Sequence, residues 1–242
     1  MSEKSRKNTK KRKISLKALF ADSARELLSV KTFVMLVLMT AGAVVLGSNY
    51  KMVVNDDLRV SFSFICIMAV AVLYGPVPCM LMNAVTDIVT YLLDKNEIRD
   101  YSPAILSVKL IVSCFYGVML YKRYYGNFGY LKRMEEFFPE CVAENLDIAV
   151  RSVFARTGAV LVGNIVLNSA VLYRLYRNSK FPIMSGGEWR NFFRWFKPRF
   201  ETNMKMLPFE LLIVFMFIPI INIIYMLVCR GFRQLCGGKT KN

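Results

Sequence analysis

The chain of 242 residues is 55% hydrophobic, with a mean hydropathy of +0.37 and a formal charge of +16 from 33 Lys+Arg against 17 Asp+Glu. That is too apolar for an ordinary soluble domain, which runs at about 45–50% apolar even with Gly counted. Histidine is absent, which removes the commonest zinc ligand, the commonest general base and any imidazole-centred triad.

Residues 1–30 form a basic arm in which Lys4, Arg6, Lys7, Lys10, Lys11, Arg12 and Lys13 crowd together, and the first apolar block starts only near Thr32. This is not a signal peptide of usual proportions. The arm is expected to be disordered and to lie against anionic headgroups in the cytoplasm. Nucleic acid is not the expected partner, because the excess charge sits at the termini and between apolar blocks, where membrane topology accounts for it.

Six apolar blocks follow, roughly 32–47, 60–75, 78–93, 103–121, 153–175 and 207–229. A hydrocarbon core of about 30 Å asks for helices of this order, the third block being short. The fold class expected is therefore an all-α integral membrane protein with six transmembrane helices. Its parts are the arm (1–30), one membrane domain (31–230) and a cytoplasmic tail (231–242). Between the second and third blocks stands Gly75-Pro76-Val77-Pro78, a tight turn that makes those two spans a helical hairpin.

Orientation follows from the loops. With the N-terminus inside, segments 1–31, 75–78, 122–151 and 230–242 carry 19 of the Lys and Arg, and 48–59, 94–102 and 176–206 carry 11. Both termini are then cytoplasmic. Seven of the eleven external basic residues fall in 176–206. Both tryptophans, Trp189 and Trp195, lie there too, among Arg190, Phe192, Phe193, Arg194, Phe196, Lys197 and Arg199. Such interleaving suits a headgroup-level anchor, and equally a lid over a planar anion.

A charge at the bilayer centre costs about 2.5–3.5 kcal/mol on insertion scales, so charged and polar residues within spans face partners or cavities. Asn83, Asp87 and Tyr91 share one helical stripe, broadened by Thr86 and Thr90. Lys109 stands in the fourth block, where it would pair with Asp87 or accept an anionic ligand. Asn164 and Asn168 repeat the i, i+4 spacing in the fifth, and Glu210 opens the sixth beside Pro208. The pattern reads either as polar glue between helices or as a polar ligand cavity.

No enzyme signature emerges. Gly237-Gly238-Lys239-Thr240 imitates the end of a P-loop, but Arg233 holds the first glycine position and no strand precedes it. The six cysteines (Cys66, Cys79, Cys114, Cys141, Cys229, Cys236) form no C-x-x-C pair and read as free thiols packed among helices. No metal or cofactor is implied.

Leu58-Arg59-Val60-Ser61-Phe62-Ser63-Phe64-Ile65, followed by Leu73-Tyr74-Gly75-Pro76, resembles the "R-I-S-F-x-F-I … L-F-G-P" stretch of substrate-binding (S) components of energy-coupling factor vitamin transporters, folate-type branch. Asp87–Leu93 resembles the "D-L-L-x-Y-L-L" run, and Asn168-Ser169-Ala170-Val171-Leu172 resembles "N-T-L-W-L". Arg199, Asn203, Leu207 and Pro208 resemble "R-x-x-K-N-x-x-x-x-P". The resemblance covers about residues 32–229.

It implies a six-helix cup that captures one small water-soluble vitamin, folate-like, near the outer face of a bacterial plasma membrane. A transmembrane scaffold (T) subunit and two cytoplasmic ATPases would energise uptake. Arg59, Asp87, Tyr91, Lys109, Asn168, Arg199 and Asn203 are then expected to line or gate the cup. The family's small-residue docking stripe on the first span falls on Val37 and Ala41, with Ala43 and Gly47 as an alternative pair. The other readings are a stand-alone carrier of the same fold, a structural or assembly membrane protein, and a membrane enzyme using Asp87 and Lys109 as a pair.

Overall fold

The computed structural model describes residues 15–48, 51–55, 58–93, 102–121, 140–177 and 185–237. Helices α1 (Leu16–Glu26), α2 (Val30–Ser48), α3 (Ser63–Tyr74), α4 (Pro76–Leu93) and α5 (Pro103–Leu120) are followed by α6 (Glu140–Gly158), a π-helical stretch (Ala159–Leu167) and α7 (Asn168–Arg177). These last three run on as one rod. Helix α8 (Gly186–Gly237) completes the chain.

Five of these rods are long and apolar enough to cross a membrane: α2, α4, α5, the α6–α7 rod and α8. The sixth apolar helix, α3, has 12 residues, about 18 Å at 1.5 Å per residue. It is too short to span alone, and it does not face lipid. Phe64 through Val72 are buried almost without a break, with Met68, Val70 and Ala71 fully enclosed. A helix apolar all round belongs in a core, and α3 is the centre of this one, packed by α2, α4, α5 and α8.

The turn at Gly75 works as its residues predict. Gly75 has φ +85°, in the left-handed region that favours glycine, and Pro76 opens α4, where a missing N–H leaves no bond unmade. The chain reverses in a single residue. At the same level α5 crosses the start of α4 so closely that a Cβ on Gly117 would lie 2.2 Å from Pro76 Cα.

Five expectations need correction. The arm is ordered in part: α1 docks on this turn, burying Leu19 and Ser23. The Ser23 hydroxyl donates to Tyr74 O (2.8 Å) and accepts from Val77 N–H (3.1 Å), satisfying groups that the turn leaves without helical partners. The 48–59 loop is not wholly irregular, since β1 (Lys51–Asn55) and β2 (Leu58–Ser61) pair antiparallel, with Lys51 opposite Ser61 and Val53 opposite Arg59. The 122–151 loop gives way to helix at Glu140, and the final helix runs past 229 into the expected tail, to Gly237. The segment 176–206, expected to be an external loop, is helical from Gly186 onward and continuous with the last span.

That last helix runs antiparallel to the α6–α7 rod. Asn222 donates to Asn145 (2.8 Å), Arg156 meets Glu210, Leu207 packs with Val160 and Ile165, and Tyr173 packs with Phe192. The prolines at 198, 208 and 219 lie within it and the helix continues through all three.

Candidate ligand-binding site

A cavity of about 300 Å³ opens among the helices. Its walls come from Ala43 and Gly47 at the end of α2, and from Ser63, Phe64 and Ile67 at the start of α3. Asn83, Thr86, Asp87 and Thr90 of α4 and Lys109, Val112 and Tyr116 of α5 add two more sides, and Arg156, Asn164 and Asn168 close the last. The C-terminal half of α2 and α4 and the N-terminal half of α3 and α5 meet at one end of the bundle. The cavity therefore sits in the half of the bundle where α2 and α4 end and α3 and α5 begin.

The inner floor is a closed ionic knot. Arg156 donates from Nε and Nη2 to both carboxylate oxygens of Glu210 (3.1 and 2.8 Å) and from Nη1 to the Tyr116 hydroxyl (2.7 Å). Its guanidinium lies 3.9 Å from the centroid of Phe64. Side-chain exposure is 8% for Arg156 and 13% for Glu210. The bidentate fork fits a planar carboxylate, and the knot ties α3, α5, α6 and α8 together.

The rim is different. Lys109 Nζ pairs with Asp87 Oδ1, as the sequence allowed, but the lysine side chain is 45% exposed. Asn83, on the same stripe, does hold helices together: its amide donates to Lys109 O (3.1 Å) and Ser113 Oγ (2.6 Å). Among the residues lining the cavity one oxygen stands out. Asn168 Oδ1 is buried and has no hydrogen-bond partner, a position that a native protein rarely leaves empty-handed without a functional reason.

The π stretch explains why Arg156, Asn164 and Asn168 share one wall. At about 100° per residue, a regular helix would set Asn168 roughly 120° round from Arg156. The wider i→i+5 turns rotate each residue less and bring the three onto one face. Gly163 lets this wall approach α5, where a Cβ would meet Val112 Cγ2 at 2.3 Å.

Of the residues expected to line the cup, Asp87, Lys109 and Asn168 meet in the cavity. Tyr91 is half exposed one turn beyond Asp87, outside the lining. Arg199 stacks on Trp195 at 4.2 Å, and Asn203 donates to Arg199 O (2.8 Å), both on α8 and outside the lining. Arg59 lies in β2, and its side chain falls outside the described residues. Of the four docking candidates, Val37 and Ala41 are exposed on α2, whereas Ala43 is fully buried and Gly47 faces the cavity. An outside partner reaches only the first two.

Arg156 is the residue that sequence reasoning passed over. A cation inside a span needs a partner, and Glu210 was the in-span carboxylate left without one, 54 residues away. Cys66, Cys79 and Cys114 are free thiols, as expected.

Several helices long and apolar enough to cross a membrane, packed into one bundle with a cavity in one half, make this a multi-pass membrane protein. Among solved structures the chain is similar to the crystal structure of FolT bound with folic acid, with TM-score 0.53 and 20% identity over 78% of this chain and 91% of that one. The likeness shows the fold: a helical bundle shared over most of both chains. No protein-family model matches the chain, and no curated protein does.

Proposed function

We propose that this protein is the substrate-capture subunit of an energy-coupling factor importer, binding a small, planar, anionic vitamin of folate type at the outer half of a bacterial plasma membrane. The observation that carries the reading is the cavity itself: polar, within an apolar bundle, and holding an orphan acceptor at Asn168. Its volume is at the small end of the range of about 300–1,000 Å³ usual for ligand pockets. The related fold of a folate-bound protein supports the same ligand class.

In this reading the Lys109 ammonium leaves Asp87 to meet a ligand carboxylate, and the freed Asp87 carboxylate takes N–H groups on a heterocycle edge. Asn168 Oδ1 accepts a further N–H, and Asn164 flanks it. Phe64 and Tyr116, fixed from behind by Arg156, wall the ring system. The arm and tail face the cytoplasm. A separate scaffold subunit docks along the Val37–Ala41 face of α2, and two ATPases supply the energy.

The test is native mass spectrometry of the protein purified from a host that makes folates. The expected result is a co-purified folate-sized mass that disappears in Lys109→Ala. Uptake into vesicles should then require the scaffold and ATPase subunits; uptake by this chain alone would favour the stand-alone carrier. A different vitamin discards the folate label and keeps the class. An empty protein whose melting temperature no vitamin raises would overturn the reading in favour of a structural role.

A further inference from the structure

We infer that the N-terminal part of α8, Gly186–Met206, is an anionic-phospholipid binding element at the outer membrane surface. Arg156 and Glu210 fix a common level on neighbouring helices, shared by Tyr116 of α5. From Tyr116 to the start of α5 at Pro103 is 13 residues, about 20 Å. The same rise along α8 from Glu210 ends at Lys197. The segment around Lys197 is therefore level with the end of α5, where hydrocarbon gives way to headgroups.

The faces of the segment match that level. At about 100° per residue, Trp189, Phe193, Phe196 and Phe200 fall within an arc of roughly 60°, and Arg190, Lys197 and Arg194 occupy the next arc of similar width. Phe193 is 58% exposed. The rings stack along the helix (Trp189–Phe193 5.9 Å, Phe192–Phe196 5.6 Å, Phe196–Phe200 6.0 Å between centroids), which stiffens the stripe. Arg190 and Arg194 are exposed and make no ion pair among the described residues, and Lys197 reaches only Glu201, at 3.9 Å. Across the segment five basic residues face two acidic ones. Aromatic rings at the acyl boundary beside cations at the phosphates are how such helices hold an anionic lipid surface.

Because the described α8 segment lines no part of the cavity, this inference stands apart from the ligand reading. Both tryptophans of the chain lie in the segment, so tryptophan emission, excited where tyrosine does not absorb, reports on it alone. The protein would be reconstituted in nanodiscs of phosphatidylcholine with and without phosphatidylglycerol. Phosphatidylglycerol is expected to blue-shift the emission, and bromine near the top of the acyl chain should quench it. The triple variant Arg190→Gln, Arg194→Gln, Lys197→Gln should lose phosphatidylglycerol retention in native mass spectrometry by about tenfold or more, with an unchanged melting temperature. Emission indifferent to lipid charge and to bromine would overturn the proposal. So would emission that moves only when a vitamin is added in detergent, the behaviour of a lid.

Discussion

The floor and the rim of the cavity use the same chemistry to opposite ends. Each holds a cation against a carboxylate, Arg156 with Glu210 below and Lys109 with Asp87 above. Below, the cation is enclosed, makes three hydrogen bonds of 2.7–3.1 Å and stacks on Phe64. Above, a flexible ammonium whose side chain is 45% exposed makes one contact, with a carboxylate that is 14% exposed. A buried pair held by several hydrogen bonds is hard to rearrange, because moving either partner strands a charge in low dielectric. An exposed pair is worth about 0–1 kcal/mol and exchanges readily. The floor is built to hold shape, and the rim to change partners.

The comparison breaks most readily at the floor. Glu210→Ala strands the guanidinium and should cost about 3–5 kcal/mol, a fall of roughly 10 °C in melting temperature. If the pair is structural rather than ligand-binding, replacing both partners by apolar residues of similar volume (Arg156→Met with Glu210→Leu) recovers most of that loss. A double variant as unstable as Glu210→Ala would show that the knot supplies more than shape.

Next in size is the close crossing beneath the floor. Gly117→Ala places a methyl 2.2 Å from Pro76 Cα, and backbone cannot yield as a side chain would. About 1–3 kcal/mol of destabilisation is expected, read as a lower melting temperature. Ligand affinity, once corrected for the unfolded fraction, should stay as it was.

At the rim the balance inverts. Lys109→Ala should leave the melting temperature within a degree or two, since an exposed pair contributes little. It should weaken an anionic ligand by about 10–100-fold, the range for a lost charge-assisted hydrogen bond. Asp87→Ala should likewise weaken retention without unfolding. Stability losses at Lys109 matching those at Glu210 would erase the distinction between floor and rim.

Much of this was legible in the sequence, for reasons that separate cleanly. The six apolar blocks and the tight turn at Gly75 depend on composition and short spacing, Asp87 and Lys109 were opposite charges within successive spans, and the structure has all of these. The Arg156–Glu210 pair joins residues 54 apart in the chain, and nothing local marks two such residues as neighbours. Helix α1 was hidden because only Leu19 and Ser23 are buried in it, too few to make a stripe inside a charged arm. The helix from Gly186 was hidden by Pro198 and Pro208, which ordinarily end or kink a helix. The π stretch has no sequence signature at all, so Asn164 and Asn168 could be paired by their i, i+4 spacing but not aligned with Arg156.

The smallest expected effect sharpens the comparison furthest. Asn168→Ala removes a buried acceptor that bonds nothing in the ligand-free protein. An ordinary buried asparagine loses its hydrogen bonds on truncation and destabilises, whereas here the unsatisfied oxygen is itself a cost of about 1–3 kcal/mol. The melting temperature of the empty protein should therefore hold or rise slightly. If the oxygen is kept for the ligand, affinity should fall by about fivefold, one neutral hydrogen bond's worth, so that the two readouts move in opposite directions. A fall in both would place Asn168 with the floor, as structure; a fall in affinity alone places it with Lys109, as a contact held open for the ligand.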